Sequence, residues 1–285
     1  MDYRVDRPDS VGLAEAATGW RSGYVHVPFC ARRCPYCDFA VVAADETGGG
    51  ATDRYVDALV AEIAMETPPF PLDAVNLGGG TPTRLRPSQL SRILEALHEH
   101  FGIDDGAEIS IEANPEDWSD DVARMLRAVG FNRVSFGVQS LDPAVLAALG
   151  RLHTPDQAKG AVRAARSAGF ATISVDLIYG THEESDASWS ASVDGVLALE
   201  PEHLSAYALT VEGGTALSRA ILDGAPSPDP DEQADRFEYV ADAAADAGLI
   251  RYEVSNWAGA GHACRYNLST WMMGEYVAFG TGAHD

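Results

Sequence analysis

Lysine is all but missing from this sequence: Lys159 is the only one in 285 residues. Positive charge is scarce altogether, with 20 Lys and Arg against 43 Asp and Glu and a formal net charge of −23. Such a surface repels phosphate backbones, so nucleic acid is excluded as a partner. The plain reading of the balance is an acidic, solvated surface in a chain that prefers Arg to Lys. Cysteine is also sparse, and three of the four fall close together, which excludes a secreted disulfide framework. No apolar run approaches the length of a membrane span. The first twenty residues are mixed in charge and lack the apolar stretch of a secretory signal. A cytoplasmic protein is the expectation.

What is present is a long α/β pattern. At 46% hydrophobic, the chain can bury a large core as one domain or one and a half. Short strand-like runs at Tyr24–Val27, Ala74–Leu77, Glu108–Glu112, Arg133–Val138, Thr172–Ile178 and Leu204–Leu209 alternate with helical stretches. The helices are expected near Asp53–Glu66, Pro87–Phe101, Asp120–Val129, Thr154–Ala168, Ser185–Leu199 and Asp231–Ala247. Gly130, Gly169 and Gly248 supply stops. Gly48-Gly49-Gly50 reads as a flexible loop and Pro226-Ser227-Pro228-Asp229-Pro230 as a stiff connector. Successive βα units argue for a parallel sheet with helices outside, as an open doubly wound sheet or a partial barrel. The expected organisation is a tail over 1–20, a core over 21–250 and the start of a further region over 251–285.

The densest chemistry lies in Cys30-Ala31-Arg32-Arg33-Cys34-Pro35-Tyr36-Cys37, a C-x3-C-x2-C spacing on the loop after the first strand. Thiolates this close can converge on one centre, and their softness favours zinc or iron–sulfur. A structural zinc normally takes four protein ligands, and the remaining cysteine, Cys264, is remote in sequence. A four-iron cluster on three thiolates leaves one iron open, which suits a site that binds something. A zinc knuckle and a disulfide pair are the bland alternatives.

Polar groups recur where later strands end, which is where parallel barrels place active sites. Gly78-Gly79-Gly80-Thr81-Pro82-Thr83 follows the second strand, Glu112-Ala113-Asn114-Pro115 the third and Gly137-Val138-Gln139-Ser140 the fourth, while Asp176 lies in the fifth. Singly, these could be a tight turn, an exposed strand end, a capping amide and an ion-pair partner. The glycine turn lacks the Gly-Lys-Ser/Thr ending of a phosphate-binding loop. Their joint order is harder to assign to packing.

The cysteine loop, with Tyr24-Val25-His26-Val27-Pro28-Phe29 before it and Asp38-Phe39 after it, resembles the radical S-adenosylmethionine (SAM) superfamily and, within it, the coproporphyrinogen III oxidase-like group. The resemblance runs over roughly residues 22–284. It implies an incomplete (βα)6 barrel, with a parallel sheet and outer helices, and a 4Fe–4S cluster on Cys30, Cys34 and Cys37. It also implies SAM, with Tyr24 near the cluster and the methionine end, and Tyr36 near the adenine. Gly79, Gly80 and Thr81 would receive the amino group, Glu112 and Gln139 other polar atoms, Arg151 the carboxylate and Asp176 the ribose. An Arg fork suits a carboxylate and an Asp accepts from ribose hydroxyls.

Within the group, Phe39 stands where the oxidase pattern has a fourth cysteine, which is similar to the heme-chaperone branch. Cys264-Arg265-Tyr266-Asn267-Leu268-Ser269-Thr270-Trp271 resembles that branch's H-N-x-x-Y-W heme region, with Asn267 and Trp271 in place but Tyr266 for the His and Thr270 for the Tyr. The resemblance implies a chaperone that binds heme through the Tyr266, Asn267 and Trp271 segment and passes it to a heme-accepting protein; with Tyr266 in the place of the His, and because Tyr and Cys both serve as axial ligands, Tyr266 or Cys264 is expected at the iron. An electron donor such as flavodoxin or ferredoxin is the other implied partner. The alternative is an enzyme: an oxygen-independent coproporphyrinogen III oxidase or another radical reaction of porphyrin metabolism. A scaffold role is the bland third reading. Members of the group continue into a smaller helical domain, so the chain is expected to be truncated.

Overall fold

Strands β1 (Ser22–Val27), β4 (Leu72–Gly79), β5 (Ile103–Ala113), β6 (Arg133–Gln139), β7 (Thr172–Tyr179) and β8 (His203–Ala208) lie side by side in that order, all parallel. The computed structural model describes residues 19–43 and 48–284, so nearly all of the tail expected over 1–20 lies outside the described residues. These six strands are the six read from the sequence. A two-stranded pair, β2 (Phe29–Cys30) with β3 (Val42–Ala43), brackets the cysteine loop.

Helices α1 (Ala51–Met65), α2 (Pro87–Phe101), α3 (Asp120–Val129), α5 (Pro155–Ser167), α6 (Asp186–Leu197) and α8 (Pro230–Asp246) cover the outer face. Their ends follow local chemistry. Ser119 accepts from Val122 N–H to open α3, Thr154 and Gln157 form a capping box on α5, and Asp229 caps α8. Gly130, Gly169 and Gly248 stand just past helix ends at positive φ, where a Cβ would be strained. Three short helices, α4 (Pro143–Ala148), α7 (Ala216–Leu222) and α9 (Arg265–Trp271), also lie among the described residues.

Residues after 250 add to both edges of the same sheet. β10 (Asn256–Ala258) pairs antiparallel with β8 and carries β9 (Ile250–Arg251), while β11 (Tyr276–Phe279) pairs parallel with β1. The nine-stranded sheet is therefore mostly parallel, and among the described residues β11 and β9 form its edges without closing a barrel.

The strands alternate. Val25, Val75, Leu77, Ile111, Val134, Phe136, Val175 and Leu204 are buried in the core under the helices. Their neighbours Tyr24, Asn76, Ser110, Glu112, Ser135, Ser174, Asp176, His203 and Ser205 line a polar lumen of about 280 Å³ on the other face. Strands spaced about 4.8 Å apart would hold β1 and β8 roughly 24 Å from each other in a flat sheet. Because Tyr24 of β1 and His203 of β8 border one small cavity, the sheet is curled around it. α9 plugs the end formed by strand N-termini: Ser22 Oγ donates to Ser269 Oγ at 2.8 Å, and Arg265 N–H donates to Glu108 Oε1 at 2.9 Å. Among the described residues, no helix is long and apolar enough to cross a membrane.

Candidate functional site

The cysteine loop leaves the rim end of β1 and is tied down on both sides. Gly80 N–H donates to Val27 O, Thr81 N–H to Phe29 O and Val42 N–H to Pro28 O, each at 2.8 Å. The Arg33 guanidinium closes the turn through Phe39 O and Val41 O. Close approach of the two loops requires a glycine at 80: a Cβ there would lie 2.8–2.9 Å from backbone atoms of Pro28, Phe29 and Val27. Cys30, Cys34 and Cys37 are half-buried free thiols on the wall of one cavity of about 440 Å³. Burial pushes the Cys30 and Cys37 thiols up. Donors face two of the sulfurs, with Thr81 Oγ1 at 3.8 Å from Cys30 Sγ and Arg151 Nη1 at 3.6 Å from Cys34 Sγ.

Of the residues assigned to SAM by resemblance, Tyr36, Gly79, Gly80, Thr81, Glu112, Gln139, Arg151 and Asp176 border this same cavity. Tyr24 does not; it borders the lumen below and a further cavity beside the loop. Gln139 sits in the left-handed region at φ 66, at an irregularity in the β6–β7 register, and its buried Oε1 has no partner. The Arg151 fork is held by Gly137 O at 2.9 Å and by Asn114 Oδ1, while its buried Nε is also without a partner. Orphaned polar atoms of this kind, beside three thiols and a glycine cradle, fit a site built for a polar ligand next to a cluster. Among the described residues, no three His, Cys, Asp or Glu side chains are gathered tightly enough to grip a single ion. Three thiols spread over one wall suit a larger, polynuclear group.

The carboxylates on the cavity floor are strongly perturbed. Glu112 accepts from Gly79 N–H at 3.2 Å, yet burial, and then the Asp176 charge, push its carboxyl up to about 7. Asp176 is raised by burial and held by serine hydroxyls: Ser135 Oγ lies 3.0 and 2.9 Å from its two oxygens, with Ser205 and Ser174 also donating. Ser174 donates to Asp176, so His203 Nδ1–H donates to Ser174 Oγ at 2.8 Å. His203 Nε2 then accepts from Tyr252 O–H at 2.8 Å. Burial, with the neighbouring Arg133 charge, keeps His203 neutral. A directed hydrogen-bond chain thus runs from Tyr252 through His203 and Ser174 to Asp176 on the floor of the rim cavity.

Ser135 and the rim segment Tyr207–Thr210 border the cavity but do not stand out in the sequence, whereas Asn114, also on its wall, does. Asn114 carried a signal, since it closes the Glu112-Ala113-Asn114-Pro115 motif, and it bridges Thr81 Oγ1 (2.9 Å) to Arg151. The heme-motif residues are not gathered together. Tyr266 and Asn267 border the lumen, with Tyr266 stacked on Tyr24 at 5.5 Å, whereas Trp271 is 66% exposed and borders none of these cavities.

A curled parallel sheet with a three-thiol loop at its rim defines a class, and comparison with known proteins agrees. The family model for the radical SAM superfamily matches residues 24–194, and the chain belongs to that superfamily, whose members carry a 4Fe–4S cluster and SAM. It is 43% identical over 265 residues to the heme chaperone HemW of Mycobacterium tuberculosis, covering 92% of this chain and 68% of the relative. Escherichia coli HemW is 33% identical, at the same coverage of both chains. Within the superfamily, then, the chain belongs to the HemW heme-chaperone family. The solved structure of E. coli coproporphyrinogen III oxidase (HemN), a radical SAM enzyme, superposes with a TM-score of 0.81 at 27% identity, over 96% of this chain and 66% of that one.

Proposed function

We propose that this chain is the cluster- and SAM-binding part of a heme chaperone, which takes up heme beside that site and passes it to a heme-accepting protein. The observation that carries the reading is the convergence of Cys30, Cys34 and Cys37 with Gly79, Glu112, Gln139, Arg151 and Asp176 on one cavity. HemW relatives that match 92% of the chain support the cargo. In this reading the three thiolates hold the cluster, and the Gly79, Gly80 and Thr81 backbone receives the methionine amino group. Arg151 and Gln139 take polar atoms of SAM, and Asp176, oriented by the hydroxyls of Ser135 and Ser174, takes the ribose hydroxyls. The chemistry such a cluster supplies when bound is one-electron transfer, here from a donor such as flavodoxin or ferredoxin. The similarity to HemN supports a second reading, oxidation of coproporphyrinogen III.

One set of measurements tests both readings. After anaerobic reconstitution, the protein is assayed for iron and sulfide, for perturbation of the reduced cluster's paramagnetic resonance by SAM, for hemin uptake, and for 5′-deoxyadenosine release with coproporphyrinogen III. The chaperone reading expects a cluster lost in Cys34→Ala and kept in Cys264→Ala, a SAM-dependent spectrum and hemin uptake. Stoichiometric zinc without iron overturns the cluster assignment. Deoxyadenosine release that depends on coproporphyrinogen moves the function to the enzyme.

A further inference from the structure

Nothing in the SAM assignment uses Ser174, His203 or Tyr252, and none of the three borders the rim cavity. They lie beneath it. Ser174 and His203 are register partners on β7 and β8, two residues below Asp176, and both are buried. Tyr252 comes from the turn between β9 and β10, where its N–H donates to Asn256 O at 3.1 Å, and its ring lies 5.6 Å from that of His203. Three polar side chains from separate stretches of the chain therefore stand in file below the carboxylate assigned to the ribose.

A file of hydroxyls and an imidazole can be ordered in either direction, and the supply of acceptors decides between them. Tyr252 Oη lies 2.8 Å from His203 Nε2, while its other neighbours are donors, the Cys264 N–H at 3.4 Å and the Asn267 amide. The phenol proton is thereby directed to Nε2. The ring's own proton then sits on Nδ1 and is donated to Ser174 Oγ at 2.8 Å. Ser174 in turn has its proton free for Asp176 Oδ1, at 3.4 Å. Run the other way, the file would strand the Tyr252 proton and withdraw Ser174 from Asp176, an uncompensated loss in a buried setting. Ser135 Oγ lies 3.0 and 2.9 Å from the two Asp176 oxygens and holds them almost equally, whereas Ser174 reaches Oδ1 and adds a hold on that oxygen.

We infer that His203 is a positioning residue for SAM: held in one tautomer by Tyr252, it aims the Ser174 hydroxyl at Asp176 and so fixes the carboxylate that receives the ribose hydroxyls. The inference rests on the SAM reading of the rim cavity and extends it to residues that do not touch the ligand. Tyr252 and its two donors all follow residue 250, so the region after the core contributes to the SAM site without reaching it. The bland account is that the polar groups of the lumen merely satisfy one another. The two accounts differ in what they demand of ribose recognition.

The test compares the affinity of the anaerobically reconstituted full chain for SAM and for its 2′,3′-dideoxy analogue, by titration of the reduced cluster's paramagnetic resonance. The proteins are wild type, His203→Gln, His203→Asn and Tyr252→Phe. Wild type should prefer SAM. His203→Gln carries its amide to the place of Nε2 and abandons Ser174. It should bind SAM about tenfold more weakly, the loss of one hydrogen bond to a charged group, and bind the analogue as wild type does. His203→Asn keeps a donor at the place of Nδ1 and should restore most of the preference. Tyr252→Phe, which removes a single oxygen and releases the tautomer, should lower the preference without weakening the analogue. If SAM and the analogue weaken together in His203→Gln and Tyr252→Phe, the two residues are structural and the inference falls. It falls too if His203→Gln keeps the wild-type preference. A wild type that binds both compounds equally removes Asp176 from the ribose, and this inference with it, while SAM binding stands. A resonance that saturating SAM leaves unchanged in wild type overturns the SAM reading itself.

Discussion

Glu112 borders the rim cavity, the lumen and the cavity beside the cysteine loop, so its charge is felt on three sides. Its carboxyl titrates near 7 in the folded protein, chiefly from burial, against about 4.3 in an unfolded chain. The folded state therefore binds more protons between those values, and stability falls as pH rises from about 4.3 to about 7. Glu112→Gln should remove that component: thermal melts of the variant should match wild type near pH 4 and exceed it near pH 8. A variant less stable than wild type at both ends would show that the Gly79 N–H contact outweighs the buried charge. Glu112, Gln139 and Asp176 were legible in the sequence because they recur at or near successive strand ends, whereas Arg151 came only with the family resemblance. Their states were not legible. Neither the left-handed backbone of Gln139 nor the serine cradle around Asp176 leaves a trace in local pattern, because the partners come from neighbouring strands.

Among the elements, the turn after β4 is the one most constrained by contact. A Cβ at Gly80 meets only backbone, whereas one at Gly78 meets the movable Glu112 side chain at 2.5 Å. Gly80→Ala must therefore push the β4 turn away from the cysteine loop, at a cost of about 1–3 kcal/mol by the usual penalty for overpacking. It should lower iron retention after reconstitution in parallel with the melting temperature. A fully loaded, equally stable Gly80→Ala protein would mean that the loops have slack. Gly78→Ala should instead retain the cluster and weaken SAM binding, read by the resonance titration, because it displaces Glu112. The six core strands and their helices could be read from periodicity and glycine stops, and α2 and α3 appear at the expected residues. The short additions could not. α9 has seven residues and no side-chain cap, and β10 and β11 have three and four residues, so each is fixed by sheet edges already in place. Within the strands, polar residues such as Asn76, Ser110, Glu112, Ser135, Ser174 and Asp176 alternate with the core positions. The curl of the sheet gives those polar residues a lumen.

For the whole molecule, the dominant long-range term is the charge of −23. Several of the ion pairs that offset it, Arg86–Asp53, Arg92–Asp57 and Arg124–Asp121, lie on the exposed surface, where each is worth no more than about 1 kcal/mol. The unpaired carboxylates repel one another across the fold and relax that repulsion on unfolding. Raising salt from about 0.01 M to about 0.15 M shortens the screening length from about 30 Å to about 8 Å, enough to mute repulsion between distant charges while leaving contact pairs partly intact. The melting temperature should therefore rise with sodium chloride over this range and then level off. Potassium chloride should act equally, since screening depends on ionic strength and not on the identity of the cation. If instead the melting temperature falls as salt is added, the surface pairs outweigh the net charge. The charge then acts on what approaches the molecule and not on how firmly it holds together.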